Sequence, residues 1–354
     1  LEPQLWLCRS YSYDPATFTY TFTLRSGVTF SDGSALTAAD VAATLQRART
    51  SQRYGARLAQ VAAVSAGDGV VYVRLSSANT GFPALLDIPI VKSGTETSLT
   101  PVGTGPYQVS SDEEGVCLTA HTGWWAGASL PVDRIGLSSA RDRETVLYQF
   151  SSHDIQLITA DLTGTDPITA TGNISYQDAD TTILQYVGIN TRREPFQDAA
   201  VRQALGLGIN RPTLVSAVLS GHARAAQFPV SPVSALYPAE LETLYAYDDF
   251  SAAMEAAGLT SGQTRTVTML VNSENSFKVA AAESIAEALS DFDLQIQVQA
   301  LPWEEYTAAL AAGNFDLYYG EVKLTADWDL SALVGTGGSL NYGGWTDPET
   351  DQLL

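Results

Sequence analysis

At 354 residues the chain has room for about two domains of roughly 150 residues each, and it is long enough to bury a core without disulfide or metal staples. Apolar residues make up 45% of it and charged residues 16%, below the roughly 25% norm, a globular composition with no signature of disorder. Asp and Glu number 39 against 19 Lys and Arg, and the net charge of −20 disfavours nucleic acid and anionic lipid, whose capture depends on neutralising phosphates with cations.

The chain opens Leu1-Glu2-Pro3-Gln4, with neither an initiator Met nor a charged-then-apolar leader, so its compartment is not read from its first residues. No run reaches the ~18 uninterrupted apolar residues of a membrane helix. Thr17 to Leu24 alternates hydroxylated and apolar side chains with a period of two, which predicts a strand. Turns at Ser26-Gly27 and Asp32-Gly33 follow. Thr37 with Asp40 three residues later is a helix-start signal for a helix reaching about Arg49. Val61–Ala66 with Val70–Leu75, and Tyr107–Ser111 with Val116–His121, read as two hairpins.

From Gln197 the pattern changes. Helices are predicted over Gln197–Leu207 and, capped by Asn210 with Pro212 in its first turn, over Thr213–Ser220. Then strand and helix alternate: strand Val267–Val271, helix Phe277–Ser290, strand Leu294–Ala300, helix Trp303–Ala312, strand Phe315–Tyr319. This rhythm predicts a βαβαβ unit with a parallel sheet. Such sheets bind ligands outside the carboxyl ends of their strands, which directs attention to Asn272–Asn275, Leu301–Trp303 and the segment from Gly320 onward.

Few residues suit metal or redox chemistry. The three histidines, His121, His153 and His222, lack helical ligand spacing, so neither a metal site nor a cofactor is expected. Cys8 and Cys117 are compatible with one cross-strand disulfide or with two buried thiols. No enzyme activity is expected either, for there is no Gly-x-Ser-x-Gly, no His-Glu-x-x-His and no phosphate loop, and the one alternative left open is a glycosidase, which needs two facing carboxylates. Glu304-Glu305 is accounted for by the dipole of the helix it begins.

The run Tyr20-Thr-Phe-Thr-Leu-Arg-Ser-Gly-Val-Thr-Phe-Ser-Asp-Gly33, followed by Leu36-Thr-Ala-Ala-Asp-Val41, closely resembles the signature of the extracellular solute-binding proteins of family 5, the oligopeptide, dipeptide and nickel-chelate receptors of ABC importers. Collinear matches continue through Val102–Tyr107, Trp124-Trp125, Val187–Thr191, Pro195-Phe196, Val201–Leu205, Ile209–Arg211, Ser220-Gly221, Asn341-Tyr342 and Asp347–Asp351. The resemblance implies an α/β, two-lobe periplasmic-binding-protein-like fold (type II, family 5) with a ligand cleft between the lobes. Lobe I is expected over residues 1–187, sheet-rich and incomplete, and lobe II over 188–354 as a βαβ parallel-sheet lobe lacking its C-terminal part, with the crossover near Tyr186–Asn190. Relatives carry further residues before the first motif and after the last.

The implied function is capture of a small solute, with oligopeptides or dipeptides leading, and delivery to the permease of an ABC importer. Nickel chelates, glycans, other small solutes, or a sensory or regulatory module on the same fold are the alternatives. The implied compartment is extracytoplasmic, periplasmic or at the cell surface, with membrane contact only through a lipid anchor outside this chain. Ala326-Asp327-Trp328 resembles the place where peptide-binding relatives hold the ligand's α-ammonium, and a carboxylate there forms a charge-assisted hydrogen bond. Leu324 stands where relatives usually have a Trp. The ligand-binding candidates are therefore Asp327, Trp328, Asp329, Glu321, Asn272 and Trp303. Asp327 or Asp329 is alternatively the cap of a helix starting near Leu330. Trp124, Trp125, Trp303, Trp328 and Trp345 offer aromatic surface to a side chain or sugar, with core packing as the default for each. Arg202 is a candidate partner in a structural ion pair.

Overall fold

The computed structural model describes residues 3–165, 167–245, 249–290 and 292–354. It divides into one compact unit ending at Arg141 and another spanning Asp142–Leu354.

In the first unit, β1 (Cys8–Asp14), β2 (Thr19–Leu24), β3 (Val61–Ala66) and β4 (Val70–Leu75) form an antiparallel sheet in the order β1-β2-β4-β3. The alternation in β2 does what its period implies: Tyr20 and Phe22 enter the core with Val71 and Val73. Helix α1 (Ala38–Ala48) covers them with Val41, Ala42 and Leu45. It starts where the sequence signals it, in a reciprocal box: Asp40 N donates to Thr37 Oγ1 at 3.3 Å and Thr37 N to Asp40 Oδ2 at 3.0 Å. The second predicted hairpin, β5 (Tyr107–Asp112) with β6 (Gly115–Ala120), gains a third strand, β7 (Arg134–Gly136), too short to show a period. The Gly-Thr-Gly-Pro-Tyr turn is architectural: Thr104 O accepts hydrogen bonds from both Trp124 Nε1 and Trp125 Nε1, each at 3.0 Å. Cys8 and Cys117 are both free thiols, Cys117 buried in β6 and Cys8 donating to Ser10 O.

The second unit opens with α2 (Arg143–Ser151), which buries no residue and so carries no apolar stripe to predict it by. Then come β8 (Ile183–Ile189), α3 (Ala199–Leu207), α4 (Arg211–Thr213), α5 (Phe250–Ala256), β9 (Arg265–Asn272), α6 (Ser276–Ala288), β10 (Leu294–Leu301), α7 (Trp303–Ala312), β11 (Leu317–Lys323), α8 (Ser331–Val334) and α9 (Pro348–Leu353). The helix expected over Thr213–Ser220 is a π-helical turn, Leu214–Val218, continuing α4 behind the Asn210 cap.

The sheet order is β10-β9-β11-β8; β9, β10 and β11 run parallel and β8 antiparallel to β11. Val267, Met269, Val271, Leu317 and Tyr319 face one core, packed with residues of α3, α5 and α6. Leu270 and Tyr318 face the other, packed with Tyr306 and Leu310 of α7. Helices on both faces are what a parallel sheet requires. Phe22 and Met269 lie in different sheets, as expected of two lobes.

The compact units divide after Arg141. All seven residues of β8 pair with β11, so that stretch lies inside one sheet. Strand β11 also runs Leu317–Lys323 rather than Phe315–Tyr319, because pairing with β8 carries it past the end of the apolar run.

Candidate functional site

The carboxyl ends of β9 and β10 are level, with Asn272 opposite Leu301. Strand β11 pairs with β9 at Leu317↔Met269 and Tyr318↔Leu270, and extending that offset sets Gly320 beside Asn272. Glu321, Val322 and Lys323 therefore project beyond the end of β9, where they pair with β8. The six candidate residues fall into three local groups around this end of the sheet.

Asn272 and Trp303 are joined through Glu274, which lies in the Asn272–Asn275 stretch at the strand end but is not among the six candidates. Asn272 Nδ2 donates to Glu274 Oε2, and Trp303 N donates to Glu274 Oε1 at 2.9 Å. The bond from Trp303 N–H, with lesser ones from Asn272 and Ser273, holds the Glu274 carboxyl below its ordinary value. Glu274 thereby satisfies a first-turn N–H of α7, a helix whose N-cap is Pro302 and has no side-chain cap. Asn272 is buried and engaged, hence a scaffold for the strand ends, whereas Trp303 is 57% exposed.

Glu321 belongs to a second group. Its Oε2 accepts from Gln185 Nε2 at 3.2 Å and lies 3.3 Å from Lys278 Nζ, in the first turn of α6. Tyr319 OH donates to Gln185 Oε1 at 2.8 Å, and burial, with the nearby Glu321 charge, pushes its hydroxyl up to about 12. Lys278, Gln185 and Tyr319 were missed because they come from three elements whose adjacency only the sheet order reveals. One signal was available for Lys278: a cation at a helix position that ordinarily favours an acid.

Asp327, Trp328 and Asp329 form the third group, in the loop between β11 and α8. Leu324 N donates to Thr182 O at 3.0 Å and Thr182 Oγ1 to Leu324 O at 2.6 Å, anchoring the loop's start. Trp328 N closes a turn onto Thr325 O at 3.0 Å, and Trp328 itself is 9% exposed with φ of 59°, a left-handed conformation that costs a residue with a side chain ~1–2 kcal/mol. Asp329 Oδ1 accepts from Ser331 N at 2.9 Å and from Ser331 Oγ at 2.5 Å, tying down the first residue of α8, whose N-cap position is Leu330 and carries no side-chain cap. The Asp327 carboxylate has its Oδ1 shielded from solvent.

At the opposite end of the sheet, an open depression of about 390 Å³ is lined by Asn190, Arg192, Arg193, Ala311, Ala312 and Gly313. Its cations bind loops together: Arg192 Nη2 donates to Tyr342 O at 2.9 Å and Arg193 Nη1 to Asp316 Oδ1 at 3.2 Å. Arg202 does likewise, donating to Phe196 O and Gln197 O and lying 5.3 Å over the Trp345 ring. Among the described residues no group of three or more His, Cys, Asp or Glu is placed to hold a metal ion, and no helix is long and apolar enough to cross a membrane.

A mostly parallel sheet with helices on both faces is an α/β architecture of the kind whose ligands bind outside the carboxyl strand ends. The family described as bacterial extracellular solute-binding proteins, family 5 Middle, matches residues 2–341, and the chain belongs to that family. It is 26% identical to the glutathione-binding protein GsiB of Shigella flexneri serotype 5b and 27% identical to that of Escherichia coli K12, in both cases over 93% of this chain and 69% of the relative. Among solved structures it resembles a nickel ABC transporter protein of Bacillus halodurans, with a TM-score of 0.80 at 22% identity, covering 98% of this chain and 76% of the other. It also resembles the unliganded form of MppA, a periplasmic murein tripeptide binding protein, with a TM-score of 0.78 at 19% identity, covering 98% and 75%. These likenesses establish the fold as that of family 5 periplasmic binding proteins. Members of the family are solute-binding receptors of ABC importers, not enzymes, and act outside the cytoplasm.

Proposed function

We propose that this protein binds a short peptide at the carboxyl end of the β9–β10–β11 sheet and delivers it to an ABC permease, with Asp327 holding the peptide's α-ammonium. One observation carries the reading: the loop leaving β11 sets Asp327 between an anchored strand end and the left-handed, buried Trp328, a conformation that helix capping does not require. The first N–H of α8 is taken by Asp329, not by Asp327. Backbone strain of this kind concentrates where a side chain must be aimed. Relatives named for glutathione and for a murein tripeptide support a peptide-like ligand. A periplasmic or cell-surface location, with any lipid anchor lying outside this chain, completes the reading.

Truncating one partner of a desolvated charge pair typically costs ~2–5 kcal/mol. Asp327→Asn should therefore weaken peptide binding at least ~30-fold by calorimetry, at 1.4 kcal/mol per decade, with an unchanged melting temperature. Asn caps about as well as Asp, so a capping role predicts no loss. Peptide affinity that survives in Asp327→Asn contradicts the assignment.

A further inference from the structure

The chain has three lysines, Lys92, Lys278 and Lys323, within a net charge of −20, and two of them lie at the carboxyl end of the β9–β10–β11 sheet. Lys278 occupies the third position of α6, where the helix dipole disfavours a cation. Helix stability does not account for it. Nor does exposure, since its side chain is 13% exposed against 33% for Glu321.

What holds the ammonium there is Glu321, 3.3 Å away, itself fixed by Gln185 Nε2 at 3.2 Å, which Tyr319 OH orients in turn at 2.8 Å. Three side chains, from β8, α6 and β11, thus position one carboxylate beyond the end of β9. Its charge is cancelled from the α6 side and its outer part is open to solvent. In a partly buried pair of this kind desolvation offsets much of the attraction, so the ordering of Gln185 and Tyr319 around it asks for another role.

We propose that Lys278 and Glu321 set the charge preference of the solute site: Lys278 positions Glu321 and balances its charge, so that the part of the ligand lying over the pair is uncharged. This rests on the reading that the solute binds at the carboxyl strand ends. Removing either partner leaves a single uncompensated charge, and like charges juxtaposed in an interface are strongly disfavoured. Lys278→Met leaves a carboxylate and turns the site toward cationic ligands. Glu321→Gln keeps a partner for Gln185, leaves an ammonium, and turns the site toward anionic ones.

The experiment is calorimetry with a tripeptide set carrying alanine, lysine or glutamate at each position, on wild type, Lys278→Met, Glu321→Gln and Lys278→Arg. At the responsive position Lys278→Met should shift the lysine-to-glutamate affinity ratio about tenfold toward lysine, and Glu321→Gln about tenfold toward glutamate, each the equivalent of ~1.4 kcal/mol. Lys278→Arg should keep the wild-type ranking. Should Lys278→Met melt at the assay temperature, Glu321→Gln, which alters the more exposed partner, carries the test alone. Tripeptide binding with a ranking unchanged in Glu321→Gln overturns this inference and leaves the peptide reading standing. Binding of none of the set by wild type overturns both.

Discussion

At Gly188 a β-carbon would lie 2.0 Å from the Tyr318 ring, a distance no side chain tolerates. Tyr318 is 4% exposed and meets Tyr186 OH at 3.2 Å, so the ring cannot retreat without breaking the second core of the sheet. Gly188→Ala should lower stability by about 1–3 kcal/mol, the usual consequence of overpacking, as read by urea denaturation. An unchanged midpoint contradicts the packing described. Asp40 offers a test in pH. Burial pushes its carboxyl up, but the hydrogen bonds from Thr37 and Ser93 N outweigh burial and leave it below its ordinary value. A carboxyl depressed in the folded state contributes stability above its unfolded value, near 4, and loses that contribution as pH falls through the folded one. Asp40→Asn should therefore cost ~1–2 kcal/mol at pH 7, and its deficit against wild type should narrow below about pH 4. A deficit constant from pH 7 to pH 3 contradicts the depressed value.

Among the elements, those whose signal is local were legible and those whose signal is tertiary were not. The box of Thr37 with Asp40, the alternation of Thr17–Leu24, and Gly313 behind Trp303–Ala312 each carry their cause within a few residues, and each appears where expected. Gly313 ends α7 in the left-handed region, φ 70°, where a β-carbon is disfavoured. Gly313→Ala should destabilise the second unit by ~1–2 kcal/mol, measured by thermal melting; a neutral result contradicts the cap. The end of β11 was not legible because Glu321–Lys323 is held by β8, more than a hundred residues earlier in the chain. The same separation hid Gln185 and Tyr319. The strand-end rule still pointed at Asn272, Trp303 and Glu321. It could not tell that Asn272 and Trp303 are stitched together by Glu274 while Glu321 answers to Lys278.

On the scale of the whole molecule, the collinear motifs placed the chain in its family, and several of them have evident architectural roles. They are caps, turns and core stripes: Thr104 O between two indoles, Val201, Ala204 and Leu205 under the sheet, Asn210 on a helix start. The proposed chemistry lies instead at the carboxyl strand ends, where ligands of such sheets bind. A solute-binding receptor must take up its ligand and release it unaltered. The most direct measurement is calorimetry of this protein against tripeptides and glutathione, followed by mass spectrometry of the recovered ligand. Saturable binding at one site, with the ligand recovered unchanged, is the predicted result. Absence of binding to every peptide, or recovery of a chemically altered ligand, would contradict the account.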